Sequence, residues 1–134
     1  MIERLLPLAL LFSLSTLADE SNEFLCITDQ VTGFHHDEEK GQWLESSFLP
    51  GERFLITEIG QDKYKIQKLD EHGSWMAGCR RRTDQTDDSY TCETRTNTVH
   101  FNRTELRFTA FRYFGYWNGS NDSLSMAIGT CSAS

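Results

Sequence analysis

Past residue 18 the chain nowhere keeps an apolar period long enough for a helix, and this more than anything else limits what it can fold into. It offers instead short runs of aromatic and β-branched residues, each closed by turn formers. Phe24-Leu25-Cys26-Ile27-Thr28 is one such run and Phe54-Leu55-Ile56-Thr57-Glu58-Ile59 another, with Gly60-Gln61-Asp62 as the turn that follows. The next run alternates, with Tyr64 and Ile66 on one face and Lys63, Lys65 and Gln67 on the other, the pattern of a strand with one face in water. Asp70-Glu71-His72-Gly73 breaks the chain before Ser74-Trp75-Met76-Ala77-Gly78-Cys79. Alternation returns in Leu106-Arg107-Phe108-Thr109-Ala110, residues 118–122 give a strong loop signal, and Leu124, Met126 and Ile128 share one face of a last strand. The two prolines, Pro7 and Pro50, fall outside these runs. The reading is an all-β fold: a single small antiparallel barrel or sandwich of about eight to ten short strands, most simply a meander of hairpins.

The first residues set the compartment. Arg4 precedes an apolar run over residues 5–17, and Thr16-Leu17-Ala18 places small residues where a signal peptidase reads, so residues 1–18 are expected to be a cleaved signal peptide and 19–134 one β domain. The apolar run is too short to span a bilayer comfortably, so no integral membrane segment is expected in the mature form. An exported chain with four cysteines, Cys26, Cys79, Cys92 and Cys131, is expected to hold two disulfides, and three pairings are open. Cys79 with Cys92 is favoured as a bridge across a hairpin, because the stretch between them contains the turn-like Thr83-Asp84-Gln85-Thr86-Asp87-Asp88. That leaves Cys26 with Cys131, tying the first strand to the last.

A net charge of -7 disfavours nucleic acid and anionic membrane surfaces and permits a cationic partner. Three clusters are candidate sites. His35-His36-Asp37-Glu38-Glu39 has metal-ligand residue types, but neighbours on a strand point to opposite faces, so the segment reads as a hairpin and no metal or other cofactor is expected. In Arg80-Arg81-Arg82, the outer two would share a strand face and could meet an anionic partner, while the nearby acidic loop points to local charge compensation. Phe108, Phe111, Tyr113, Phe114, Tyr116 and Trp117 are expected to serve the core, strand alternation sending about half of them inward, with the outward part, Tyr113, Tyr116 and Trp117, forming a platform for a protein or glycan. No nucleophile elbow, zinc-protease helix, phosphate loop or dinucleotide fingerprint occurs, so a non-enzymatic role is expected.

The opening Phe24-Leu25-Cys26 with Thr32-Gly33-Phe34 and Trp43 is joined by the closing Leu106-Arg107-Phe108, Gly115-Tyr116 and Ile128-Gly129-Thr130-Cys131. Together they resemble a pattern found in small exported bacterial β-rich proteins of unknown function. The resemblance implies a periplasmic or secreted protein and brings no activity. Tyr90-Thr91-Cys92 is similar to the Tyr-x-Cys opening of the periplasmic inhibitors of C-type lysozyme, which are small disulfide-bonded barrels; an acidic chain would suit a basic lysozyme. The expected function is therefore a secreted or periplasmic protein that binds a protein or glycan of the envelope, in its sharper form an inhibitor of a cationic hydrolase such as lysozyme. The other class is a small periplasmic hydrolase or metal-binding protein using the His35-His36 region.

Overall fold

The alternation seen at residues 63–67 runs through most of the chain and builds, among the described residues, nine antiparallel strands. They are β1 (Glu23–Asp37), β2 (Gln42–Phe48), β3 (Arg53–Gly60), β4 (Lys63–Leu69), β5 (Met76–Arg81), β6 (Ser89–Glu93), β7 (Asn97–Asn102), β8 (Arg107–Arg112) and β9 (Leu124–Ala133). The structure, a computed structural model, describes residues 22–69, 75–82, 88–113 and 115–133. The expected signal peptide, the break at 70–73, Phe114 and most of the polar loop after Arg82 lie outside the described residues.

The strands pair in the order β2-β1-β3-β4-β5-β6-β7-β8-β9, and β9 returns to β1, so eight of them close a barrel and β2 is an extra strand. From β3 to β9 the path is a plain meander. β1 carries the run at residues 24–28 on into residues 33–36, the arm of the hairpin read at His35-His36, as one long strand bent by a bulge between Thr28 and Gln30. The bend lets one edge of β1 serve two partners. Residues Glu23 to Ile27 pair with β3, and Val31 to Asp37 pair with β2. The chain crosses between them at the bulge, where Gly51 N–H donates to the Thr28 carbonyl (3.1 Å) and hydroxyl (2.9 Å). Among the described residues no strand pairs with the far edge of β2.

Inward positions fill the barrel with rings, as expected for an interior just wide enough for side chains. Phe24, Phe54, Ile56, Tyr64, Ile66, Tyr90, Val99, Phe101 and Phe108 are buried. Phe24 stands 5.0 Å from Phe101 between ring centres, Tyr64 4.6 Å from Tyr90, and Phe54 5.6 Å from Phe108. The disulfides Cys26–Cys131 and Cys79–Cys92 lie in the same core, each between directly opposite residues of paired strands. The first bridges the β1–β9 seam that closes the barrel.

Gly129 shows how closely the interior is filled. A Cβ there would sit 2.3 Å from the Ile27 carbonyl oxygen and 2.4 Å from Phe108 Cε1. One obstacle is backbone and the other a buried ring, so neither yields cheaply. Gly129→Ala should cost about 1–3 kcal/mol through overpacking, read as a lower urea midpoint at unchanged slope.

One end of the barrel is closed by a polar lid. Arg103 donates through Nη1 to the Tyr64 hydroxyl and through Nη2 to Asp88 Oδ1, both at 3.1 Å, and its guanidinium lies 5.6 Å from the Tyr90 ring centre. Thr104 Oγ1 donates to Asp88 Oδ2 (2.7 Å), and Arg81 stands 3.6 Å from both Asp62 and Asp88. The Thr104 hydroxyl first, and Arg103 next, hold the Asp88 carboxyl below its usual range.

Candidate functional site

Alternate residues of β8, β9, β1 and β2 point away from the core, and on this side of the barrel many of them are apolar. Phe111, Met126 and Thr32 lie in register across β8, β9 and β1; the next outward row places Leu124 beside Phe34 and Glu45, and the next pairs His36 with Trp43. Ile128 continues the face on the other side of Met126. Beyond β8 the chain turns through a short 3-10 segment, Tyr116–Asn118, which sets Tyr116 edge-on to Trp43 at 5.1 Å. His36 also packs against Trp43, with ring centres 5.4 Å apart. Phe34, Met126, Ile128, Tyr113, Tyr116 and Trp117 are 46–74% exposed, so this is an apolar face open to water rather than a core margin.

The expectation that about half of the aromatics of residues 108–117 turn into the core is corrected here. Of those described, Phe108 alone is buried. Its ring occupies the interior beside Gly129, and the strand ends at Arg112, so the residues that follow have left the barrel wall. Leu124, Met126 and Ile128 do share a face, and it is the outer one; Ala127, Gly129 and Cys131 are the inward set.

Acidic groups border the face. The β1–β2 hairpin tip carries Asp37, Glu38 and Glu39 against Lys40, and Asp37 Oδ1 holds the tip by accepting from the Glu39 and Lys40 N–H groups at 3.0 and 3.2 Å. Glu45 adds a carboxylate beside Phe34. His36 Nδ1 is buried without a hydrogen-bond partner, with Glu38 Oε1 3.5 Å away. His35 points the other way, to Ser46 Oγ. The two histidines therefore share no ligand, and among the described residues no group of three His, Cys, Asp or Glu is placed to hold a metal ion.

Of the binding residues read from sequence, Tyr113, Tyr116 and Trp117 belong to this side, Tyr113 with its hydroxyl 3.2 Å from Thr98 Oγ1. Arg80 and Arg82 do not join them, because β5 lies three strands from β8 and three from β1 around the barrel. Arg80 meets Glu93 at 3.7 Å, while Arg81 carries the local compensation toward Asp62 and Asp88. Tyr90 and Cys92, from the Tyr-x-Cys tripeptide, are core residues. Phe34, Trp43 and Met126 were not among the binding residues read from the sequence; Met126 was legible only as part of the apolar face opposite Ala127 and Cys131, and Phe34, which has the same parity as Cys26, reaches the outer face through the bulge between Thr28 and Gln30.

On β7, next to Phe111, His100 bonds through Nδ1 to Thr91 Oγ1 (3.1 Å). Burial first, and Arg82 second, lower its pKa from the ordinary 6.5. The folded state thus prefers neutral imidazole, and stability present above pH 6.5 is lost as pH falls from there toward the depressed value. His100→Gln should flatten that part of a melting temperature against pH curve; an unchanged slope would place the proton uptake elsewhere.

No family model matches the chain, and neither the curated proteins nor the solved structures searched include one similar to it.

Proposed function

We propose that this chain is an exported, non-catalytic binding barrel that holds a cationic protein against its outer aromatic face, and that its sharper role is inhibition of a cationic hydrolase such as lysozyme. The observation that carries the reading is the outward row of exposed Met126, Phe34 and Tyr116 with half-buried Trp43 among them, beside the acidic hairpin tip. Aromatics supply buried area at little entropic cost and are the usual anchors of protein interfaces. Rim carboxylates steer a basic partner and set the salt dependence of association. Two disulfides in a chain of this size suit an oxidising compartment, in line with the signal peptide read over residues 1–18.

The test is to immobilise oxidised residues 19–134 and titrate C-type lysozyme over a range of salt. Saturable binding that weakens with salt is expected. Trp43→Ala should loosen it about thirtyfold, the size of an interface anchor, and Glu38→Gln with Glu39→Gln should mainly slow association. An absence of saturable binding would remove the lysozyme reading, and binding indifferent to Trp43→Ala would remove the face.

A further inference from the structure

At the end of the barrel opposite the Arg103 lid the described residues leave a cavity open, and the inward positions there change character within one pleat. Phe54, Val99, Ala110 and Ala127 form an apolar floor. Two residues toward the mouth on each of those segments, the same inward parity brings Glu52, Asn97, Arg112 and Ser125, and Lys68 follows Ile66 on β4. Floor and rim enclose a cavity of about 460 Å³, with Trp75 on its wall. Eight-stranded barrels are wide enough to hold one small ligand, and this volume falls within the range of small-molecule sites.

The rim charges say which kind of ligand. Lys68 Nζ lies 2.9 Å from Glu52 Oε1, so those two charges answer each other. Arg112 has no ion-pair partner among the described residues. A guanidinium at an inward position offers a planar fork that matches a carboxylate. We propose that the barrel mouth binds a small amphipathic monocarboxylate, its alkyl or aryl end on Phe54, Val99 and Ala127 and its carboxylate on Arg112. The Ser125 hydroxyl is an additional donor at the rim. This site is separate from the outer face and stands or falls without it.

Octanoate is the probe, titrated below its aggregation concentration into the oxidised chain and followed by two-dimensional amide NMR. One-to-one saturation is expected, with shifts at Val99, Ala110, Ala127 and the Trp75 indole. Acetate, lacking the apolar end, and octyl glucoside, lacking the charge, should each bind at least about tenfold more weakly. Arg112→Gln, at an exposed position, should weaken octanoate about tenfold and leave octyl glucoside unchanged. Ala110→Phe should fill the cavity and abolish binding; where that variant fails to fold, the shift map and Arg112→Gln decide. No saturation, equal affinity for octyl glucoside, or shifts confined to Phe34, Tyr113 and Met126 would each overturn the proposal.

Discussion

Replacing Cys26 and Cys131 together by alanine should lower the unfolding free energy by about 4.7 kcal/mol, against about 3 kcal/mol for the Cys79 and Cys92 pair. Both bridges join directly opposite residues inside the core, so local packing separates them little; they differ in the loop they close, 105 residues apart in sequence for the first and 13 for the second. The longer loop removes more freedom from the unfolded chain. Its position compounds the effect, because Cys26–Cys131 spans the β1–β9 seam, where the first and last strands meet without a connecting turn. A domain of this length has about 5–15 kcal/mol to lose. The Cys26/Cys131 variant should therefore be substantially unfolded near 37 °C, while the Cys79/Cys92 variant stays folded with a lower midpoint. Urea unfolding of both variants beside the oxidised parent measures this, and equal losses would contradict the loop-length account.

The strands were legible because their signal is local. Tyr64 and Ile66 against Lys63, Lys65 and Gln67 mark a pleat that has one wet face whatever its neighbours are, and Gly60-Gln61-Asp62 ends the strand before it. The hairpin pairing of Cys79 with Cys92 was legible for the same reason. The fusion of residues 24–28 and 33–36 into one bent strand was not. It depends on β9 running along both halves and on the crossing at Thr28 and Gly51, contacts between segments far apart in the chain.

The candidate face was half legible, and the reason is a matter of parity. Leu124, Met126 and Ile128 read as one apolar face, and composition alone would send it inward. The wall instead turns its smaller residues in, because the Phe108 ring already fills the space next to Gly129, and the large apolar residues are left in water. A decision of that kind rests on volume, which a pattern of apolar and polar positions does not record. Arg112 was missed similarly: in sequence it is one more charged residue between aromatics, and only strand parity sets it over the barrel floor.

Volume also governs the second large effect, at the closed end. Phe101→Ala should cost about 3–5 kcal/mol. The ring is 1% exposed and packs against Phe24, Tyr64 and Tyr90 at centroid distances of 5.0, 6.3 and 6.4 Å. The space it leaves has little means of closing. Phe101 sits between β6 and β8 in a continuous ladder, and Tyr64 is tied through its hydroxyl to Arg103, which is tied in turn to Asp88. A void that cannot collapse keeps both the lost transfer energy and the lost contacts. Phe48, half-buried at the open mouth, is the control: water can enter the space it vacates, and Phe48→Ala should cost only about 1 kcal/mol. Unfolding midpoints of the two variants give the ranking directly. A reversed order would mean that the mouth rather than the lidded end holds the tight part of the core, and that octanoate would have to open a packed interior instead of entering a formed cavity.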